Sequence, residues 1–272
     1  MRDLLPRLIS AVVMVALALG TVIRGGETFI LFWLAASLAV VWEWQRLIAA
    51  PQATPRFLVG AVALVLTTVL ARQMALDMAI VTLVIGCGLL AWLAGPGKRL
   101  WSASGLVYAS ALVVSVTLLR LSLFEGLESI LFLFAVVWGT DVCAYFGGRL
   151  IGGPKLWPRV SPSKTWSGFL VGISCGALFG TVLYAWISGA ELKSAAIIFI
   201  VGLVCGAVSQ GGDLFESSVK RHFGVKDSSH LIPGHGGFMD RLDGFIFACA
   251  LAALVGFLRS GPAAAAIGLL RW

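Results

Sequence analysis

The sequence predicts an all-α polytopic membrane protein with about nine transmembrane helices. Hydrophobic residues make up 59% of the 272 positions and charged residues only 12%, whereas soluble proteins carry roughly 25% charged residues. The mean hydropathy is +0.97. A chain of this composition cannot cover its surface with polar groups, so lipid must form part of its solvent.

Nine apolar segments can form membrane helices, some by extending into their flanks, because a spanning helix needs about 20 residues. The first follows positive charges, as in a signal peptide, but no small-residue cleavage site ends it before Arg24. We therefore expect a retained helix. The apolar tail 262–270 is too short to span. The nine segments are 8–23, 28–45, 57–71, 74–95, 101–119, 129–147, 166–187, 194–211 and 244–259.

Lysine and arginine alternate in number between successive connections, and this alternation sets the orientation. With a cytoplasmic N-terminus, the inner connections hold 14 of these residues and the outer ones 6. Both long polar loops, 148–165 and 212–243, then lie on the cytoplasmic side. Much of the net charge of +7 therefore follows from membrane topology.

Residues with reactive side chains concentrate in the second half of the chain. We divide the chain into 1–125, with about five membrane helices, and 126–272, which carries both long polar loops. Glu43, in "VWEWQRL", is the exception in the first region. It lies beside two tryptophans at a predicted membrane boundary. The sequence leaves open whether it is an interfacial anchor or a remote contributor to a site.

The cysteine and histidine patterns argue against several kinds of site. The five cysteines are scattered through apolar runs without a CxxC pair, so neither a disulfide framework nor a cysteine zinc site is indicated. His222, His230 and His235 are spaced by eight and five residues, which matches no common zinc motif. The glycine-rich stretch "GGRLIGG" is not a phosphate loop of the NTPase type, because no GK[ST] follows it.

Asp141 is an ionisable residue inside the sixth apolar segment. It lies about 12 Å from the predicted cytoplasmic end of its helix, at eight residues from Arg149. A carboxylate at that depth is costly, so it indicates a functional site that faces a wet cavity. Structural pairing with a neighbouring cation is the alternative.

The stretch "GGPKLWPRVSPSKTWSG", residues 152–168, indicates an anion site. Ser163 can cap a helix that begins near Lys164. Lys155, Arg159 and Lys164 would then surround the positive end of that helix. Ordinary positive charge of a cytoplasmic loop is the alternative for each of them.

The third group of charges lies in residues 212–243. Ser217, Lys220 and Arg221 are three and four positions apart, so one helix face can present all three. Asp240 and Asp243, at the entrance to the ninth helix, are also three apart and can aim at one point.

Carboxylates and cations around glycine-rich turns are what phosphoryl chemistry requires. Mg²⁺ takes one or two carboxylates together with substrate phosphates, and lysine and arginine neutralise the remaining charge. Gly234, Gly236 and Gly237 would let main-chain amides approach phosphate oxygens.

The segment 217–243, "SSVKRHFGVKDSSHLIPGHGGFMDRLD", resembles the signature of the phosphatidate cytidylyltransferase (CDP-diacylglycerol synthase) family at every fixed position. "TDVCAYFGGR", "SPSKTWSG" and "GGDLFES" resemble other segments of that family. The likeness covers residues 138–250, whereas residues 1–125 match only in being polytopic, with "EWQRL" as a faint echo.

The resemblance implies transfer of CMP from CTP to phosphatidate, which gives CDP-diacylglycerol and pyrophosphate, with Mg²⁺ as cofactor. Its implied metal ligands are Asp213, Asp240 and Asp243, while Asp141 lines the same site or holds a second cation. The implied phosphate-binding residues are Lys220, Arg221 and Lys226 for CTP, with Arg159 and Lys164 for the lipid. The remaining implied substrate contacts are Ser163, Ser217, Asp227, His235, Gly236, Gly237 and Arg241.

Two other functions remain open at this point. A CTP-dependent transferase or kinase that acts on another membrane lipid would use the same groups. An ion- or phosphate-coupled transporter is more remote, since the two halves show no self-similarity and the polar groups concentrate on one side. The expected partners are CTP, phosphatidate and the bilayer of a bacterial inner membrane, with no nucleic acid and with a homodimer as one open assembly.

Overall fold

Long α-helices make up nearly all of the chain in the computed structural model, which describes residues 4–50, 52–189, 191–232, 234 and 236–272. The helices are α1 (Leu4–Arg24), α2 (Gly26–Leu47), α3 (Ala53–Arg72), α4 (Leu76–Ala94), α5 (Arg99–Arg120), α6 (Gly126–Ile151), α7 (Trp166–Ser188), α8 (Leu192–His222), α9 (Met239–Ser260) and α10 (Ala265–Leu270). A short antiparallel hairpin, β1 (Lys155–Trp157) and β2 (Ser161–Thr165), precedes α7.

Within these described ranges, eight helices are long and apolar enough to cross a bilayer, and Leu8–Arg24 adds a shorter apolar helix. Each of the nine apolar segments that the sequence predicts corresponds to one helix among α1–α9. The prediction of an all-α polytopic membrane protein is therefore confirmed. The apolar tail forms a 3₁₀ turn (Pro262–Ala264) and the short α10.

The predicted polar loop 212–243 is shorter than the sequence suggests. Helix α8 continues through Asp213 and Lys220 as far as His222, and α9 already begins at Met239. The predicted eighth segment ends at residue 211, but the pair Gly211–Gly212 lies within α8. Instead, Gly212 allows close packing, since a Cβ at that position would lie 2.6 Å from the main-chain oxygen of Asp243.

The start of α7 also differs from the prediction that Ser163 caps it. Ser163 lies within β2, and the hairpin pairs Lys155 with Thr165, which keeps this part of the chain extended. The helix begins at Trp166, and the hydroxyl of Thr165 accepts a hydrogen bond from the amide of Gly168 at 3.1 Å. Thr165 is therefore the N-cap of α7. Ser163 cannot take that place, because it lies two residues before Thr165 within the paired strand β2.

We expect Thr165→Ala to lower the free energy of unfolding by about 1 kcal/mol, because it removes the side chain that satisfies a main-chain donor of α7. Ser163→Ala is the matched control, since Ser163 is exposed and caps no helix. Thermal unfolding of the two detergent-solubilised variants measures the difference. Equal melting temperatures would contradict the assignment of Thr165 as the cap.

The first of two compact units comprises residues 1–117 and 219–242. Its described core includes two buried tryptophans, Trp33 and Trp44, and one buried arginine, Arg56. The indole N–H of Trp44 donates to the main-chain oxygen of Trp101 at 2.7 Å. The guanidinium of Arg56 donates to Gln45 Oε1 at 2.7 Å and to the main-chain oxygen of Ala50 at 2.7 Å. Arg56 lies between the second and third predicted segments and is one of the 14 lysines and arginines counted in inner connections. In the structure it lies in the core and ties α2 to α3.

The second unit comprises residues 118–218 and 243–272, and α6 and α7 pack tightly within it. Four glycines at four-residue intervals line one side of α7, at positions 168, 172, 176 and 180. A Cβ at Gly172 would lie 2.7 Å from the main-chain oxygen of Thr140, and one at Gly176 would lie 2.5 Å from that of Val136. The two helices thus touch backbone to backbone, as small residues permit in membrane helix pairs.

Candidate functional site

Several of the charged residues that the sequence singles out lie in two clusters, each within one unit. We call Asp141, Lys164, Gln210, Asp213 and Asp243 of the second unit the Lys164 cluster. We call Glu43, Lys220, Ser228, Ser229 and Asp240 of the first unit the Asp240 cluster. Asp240 and Asp243, which the sequence predicts to aim at one point, therefore belong to different units.

A chain of polar contacts runs through the Lys164 cluster. The ammonium of Lys164 pairs with Asp213 Oδ2 at 2.6 Å and donates to Gln210 Oε1 at 2.9 Å. The amide nitrogen of Gln210 donates in turn to Asp141 Oδ1 at 2.9 Å. Gln210 thus links a cation to a carboxylate, and its two contacts fix which way its amide faces.

Three elements bring the Lys164 cluster together. Lys164 lies in β2, Asp141 lies on α6, and Gln210 and Asp213 are one turn apart on α8. Helices α6 and α8 approach closely at Gly206, where a Cβ would lie 3.0 Å from the hydroxyl of Thr140. The glycine therefore lets the residue after Thr140, Asp141, meet the α8 side chains.

The Lys164 cluster carries more negative than positive charge. Asp243 is half-buried on α9 and interacts electrostatically with Asp213, Asp141 and Lys164. Ser217 donates a hydrogen bond to Asp213 Oδ1 at 3.3 Å. Three carboxylates thus face one ammonium, and a further cation would balance them.

The oxygen-rich Lys164 cluster fits a hard divalent cation. Within the described part of the chain, no three His, Cys, Asp or Glu side chains are grouped closely enough to hold a metal by themselves. Mg²⁺ does not need such a cage, because it is commonly bound by one or two carboxylates and completes its shell with phosphate and water. Asp213 and Asp243 carry carboxylate oxygens that could serve as such ligands.

Asp240 is the centre of the second cluster, and hydrogen-bond donors surround both of its carboxylate oxygens. Lys220 pairs with Oδ1 at 2.6 Å, and the side chains of these two residues are only 12% and 7% exposed. The main-chain amides of Ser228 and Gly237 donate to Oδ2 at 3.0 Å and 2.8 Å. Asp240 therefore ties α8 and the segment before α9 to the first turn of α9.

Glu43 lies in the same cluster and is fully buried. It accepts hydrogen bonds from the hydroxyls of Ser228 (3.2 Å) and Ser229 (2.6 Å) and from the amides of Phe238 (2.9 Å) and Met239 (2.7 Å). A fully buried carboxylate is not an interfacial anchor. Of the two roles that the sequence leaves open, burial argues against the anchor, and a contribution to a site stays a prediction. The sequence signal for Glu43 was a carboxylate within a predicted membrane segment.

Gly236 and Gly237 make room for these two carboxylates. A Cβ at Gly237 would lie 2.5 Å from Glu43 Oε1, and one at Gly236 would lie 2.9 Å from Asp240 Oδ2. Gly236 also has a φ of +86°, which favours glycine. The sequence suggested that the amides of these glycines meet phosphate. In the structure, the amide of Gly237 donates to Asp240.

The other predicted site residues lie at the surface. Arg221 donates to the main-chain oxygen of Val225 at 3.2 Å and is otherwise solvent-facing. The remaining exposed members of the predicted set are Lys155, Arg159, Ser163, Lys226, Asp227 and Arg241, and Asp141 of the Lys164 cluster is exposed as well. His235, together with Pro233 of the signature segment, lies outside the described residues.

Comparison with known proteins gives consistent matches over most of the chain. Residues 5–258 match the model of a family described as the cytidylyltransferase family. The chain is 43% identical over 269 residues to phosphatidate cytidylyltransferase of Brucella suis biovar 1, and the aligned region covers 96% of each protein. It is also 47% identical over 127 residues to the protein of the same name from Staphylococcus epidermidis, which covers 47% of this chain and 48% of that protein.

Proposed function

Because this chain belongs to the cytidylyltransferase family, we propose that it transfers the CMP group of CTP to phosphatidate and forms CDP-diacylglycerol and pyrophosphate. The chain is a nucleotidyltransferase with several membrane helices. The relatives named phosphatidate cytidylyltransferase support this acceptor. The structural observation that carries the proposal is the Lys164 cluster. In this cluster, carboxylates on membrane helices surround a lysine, and such groups suit a reaction between a phosphate-bearing lipid and a charged nucleotide.

The reaction needs positioned charges rather than a protein nucleophile. A phosphate oxygen of phosphatidate attacks the α-phosphorus of CTP, and the bond from that phosphorus to the oxygen bridging to the β-phosphate breaks. Pyrophosphate leaves with the electron pair. Phosphatidate is already ionised near neutral pH, so no side chain has to remove a proton. The protein contributes mainly by alignment and electrostatic stabilisation.

We assign Asp213 and Asp243 as the carboxylates that hold Mg²⁺. The ion, when bound, neutralises phosphate charge as it develops. Asp141 then lines the same site or holds a second cation. Asp240 is the third candidate ligand, and a metal there would have to replace donors that Lys220, Ser228 and Gly237 already supply.

The cations divide between the two substrates in this proposal. Arg221 and Lys226 are exposed and accessible to a soluble nucleotide. Lys220, next to Arg221, is 12% exposed and would have to exchange its bond to Asp240 for one to phosphate. These three would bind the phosphates of CTP and the departing pyrophosphate. Arg159 lies between the strands of the hairpin, and Lys164 lies on β2. Lys164 and Arg159 would bind the lipid phosphate, with Lys164 exchanging its bond to Asp213 for one to phosphate.

The charge distribution supports an active site on the cytoplasmic side of a bacterial inner membrane. The predicted connections 148–165 and 212–243 each hold four lysines and arginines, and the positive-inside rule assigns such connections to the cytoplasm. CTP is a cytosolic nucleotide and phosphatidate is a membrane lipid, so a site on that side can receive both.

Purified protein, CTP and phosphatidate with Mg²⁺ provide the test. We expect label from the α-phosphate of CTP to enter a lipid product and label from the γ-phosphate to enter pyrophosphate. Label from the γ-phosphate in the lipid would instead identify a CTP-dependent kinase. Parallel reactions with a polyprenol phosphate and with an ether-linked phosphatidate test the acceptor, and product from these lipids without product from phosphatidate would contradict the proposal.

A further inference from the structure

We propose that Glu43 is a positioning residue for the transfer reaction, and that it holds the described residues 228–232 and 236–239 in the conformation that presents Asp240 and Lys220. Glu43 lies on α2, far from this segment in sequence, and its side chain contacts the segment at four points. The inference rests on the proposed function for its catalytic consequence. Its structural part, the anchoring of these residues, can be measured separately.

Glu43 acts as a cap for α9 that comes from another helix. The first amides of a helix have no partner within that helix, and the helix start carries partial positive charge. The amides of Phe238 and Met239, at the start of α9, donate to Glu43 at 2.9 Å and 2.7 Å. A carboxylate at this place therefore satisfies two main-chain donors and complements the helix dipole.

Only a carboxylate suits these partners. Oε1 accepts from the amide of Phe238 and Oε2 from the amide of Met239. Serine hydroxyls can rotate, but a main-chain N–H always donates. A glutamine at position 43, in either orientation of its amide, would set its NH₂ group against one of these two N–H groups. An isosteric replacement therefore breaks the contact although it fills the same space.

Ser228 connects Glu43 to Asp240. Its hydroxyl lies 3.2 Å from Glu43 Oε2 and 2.9 Å from Asp240 Oδ2. The amide of Ser228 also donates to Asp240, and Gly237 packs against Glu43. A shift of the segment away from Glu43 would therefore displace donors of Asp240 and, through Asp240, its ion pair with Lys220.

The test compares Glu43→Gln with Gln45→Met. Gln45 is the matched control, because it is equally buried on α2 but bonds to Ser102 and Arg56 rather than to residues 228–232 and 236–239. For Glu43→Gln we expect kcat/KM for CTP to fall about a hundredfold. A tenfold fall in kcat/KM needs only a small loss of transition-state stabilisation, and the variant loses more than one contact. For Gln45→Met we expect a lower melting temperature and a kcat/KM within about threefold of the wild type. Glu43→Asp, which keeps the charge, should recover about tenfold of the loss.

Hydrogen exchange of residues 228–232 and 236–239 provides the readout that does not depend on activity. We expect faster exchange in Glu43→Gln and wild-type exchange in Gln45→Met. If Glu43→Gln does not fold, Ser229→Ala removes the 2.6 Å bond to Oε1 and should raise KM for CTP about threefold to tenfold.

Unchanged exchange in the Glu43 variant, or an equal loss of kcat/KM in both variants, would overturn the assignment. If the wild type does not use CTP and phosphatidate, the proposed function fails, and hydrogen exchange still decides whether Glu43 anchors the segment.

Discussion

Replacing Asp213 by asparagine is expected to reduce the rate of CMP transfer by about a thousandfold, the size of effect seen when one preorganised charge contact is lost at a reaction centre. The asparagine side chain would keep an oxygen that can accept from Lys164, so the bond that now measures 2.6 Å can survive and the fold with it. The change removes one negative charge and one metal-ligand oxygen. Initial rates with α-labelled CTP over a range of Mg²⁺ concentrations measure the effect.

Asp77→Asn is the control for the loss of one aspartate charge, since Asp77 is exposed in the first turn of α4. We expect it to leave the rate near that of the wild type.

The same series with Asp240→Asn separates two roles for Asp240. An anchor for residues 228–232 and 236–237 should show a lower melting temperature without a changed Mg²⁺ requirement. For Asp213→Asn, the prediction is wrong if the variant keeps more than about one tenth of the wild-type rate. Asp213 would then not belong to the catalytic residues.

Gly176→Ala is expected to have the largest effect on stability. The added methyl group would lie 2.5 Å from the main-chain oxygen of Val136 and would also meet the hydroxyl of Thr140. Overpacking costs about 1–3 kcal/mol where side chains can yield. Here the neighbour is backbone, so α6 and α7 would have to separate. We expect a cost at or above the upper end of that range.

Gly88→Ala is the matched control for Gly176→Ala, because it also lies within a membrane helix and a Cβ there would meet no atom within 4 Å. It should be neutral or slightly stabilising, since alanine favours a helix over glycine by roughly 1 kcal/mol. The yield of monodisperse protein and its melting temperature measure both variants. A Gly176→Ala protein that unfolds at the wild-type temperature would contradict the close packing of α6 and α7.

The membrane helices could be predicted because each depends on a local property, an apolar run of sufficient length. The segment predicted at 166–187 becomes α7, Trp166–Ser188. The end of α8 could not be predicted in the same way. Two adjacent glycines, Gly211 and Gly212, are typical of the end of a helix, but α8 continues through them. Gly212 is needed there because the main chain of Asp243 packs against it. The cap of α7 depends on hairpin register, which favours Thr165 over Ser163.

The residues of the candidate site were predicted better than their partners. Lys164 and Asp213 are singled out by charge and by motif, and the structure pairs them. Gln210 is uncharged and gives no signal in the sequence, although it joins Lys164 to Asp141. Glu43 gives a signal, but its contact with Ser229 joins positions 186 residues apart and depends on tertiary packing.

Ser228 has one hydroxyl proton and two carboxylate neighbours, Glu43 Oε2 and Asp240 Oδ2. It can donate to only one of them at a time. Rotation about the Cβ–Oγ bond turns the hydroxyl hydrogen, which stays bonded to Ser228, from one carboxylate acceptor to the other, while the main-chain bonds around it stay in place. The segment between α8 and α9 therefore contains a two-position rotor, and the electrostatic balance between Glu43 and Asp240 can change without movement of the backbone.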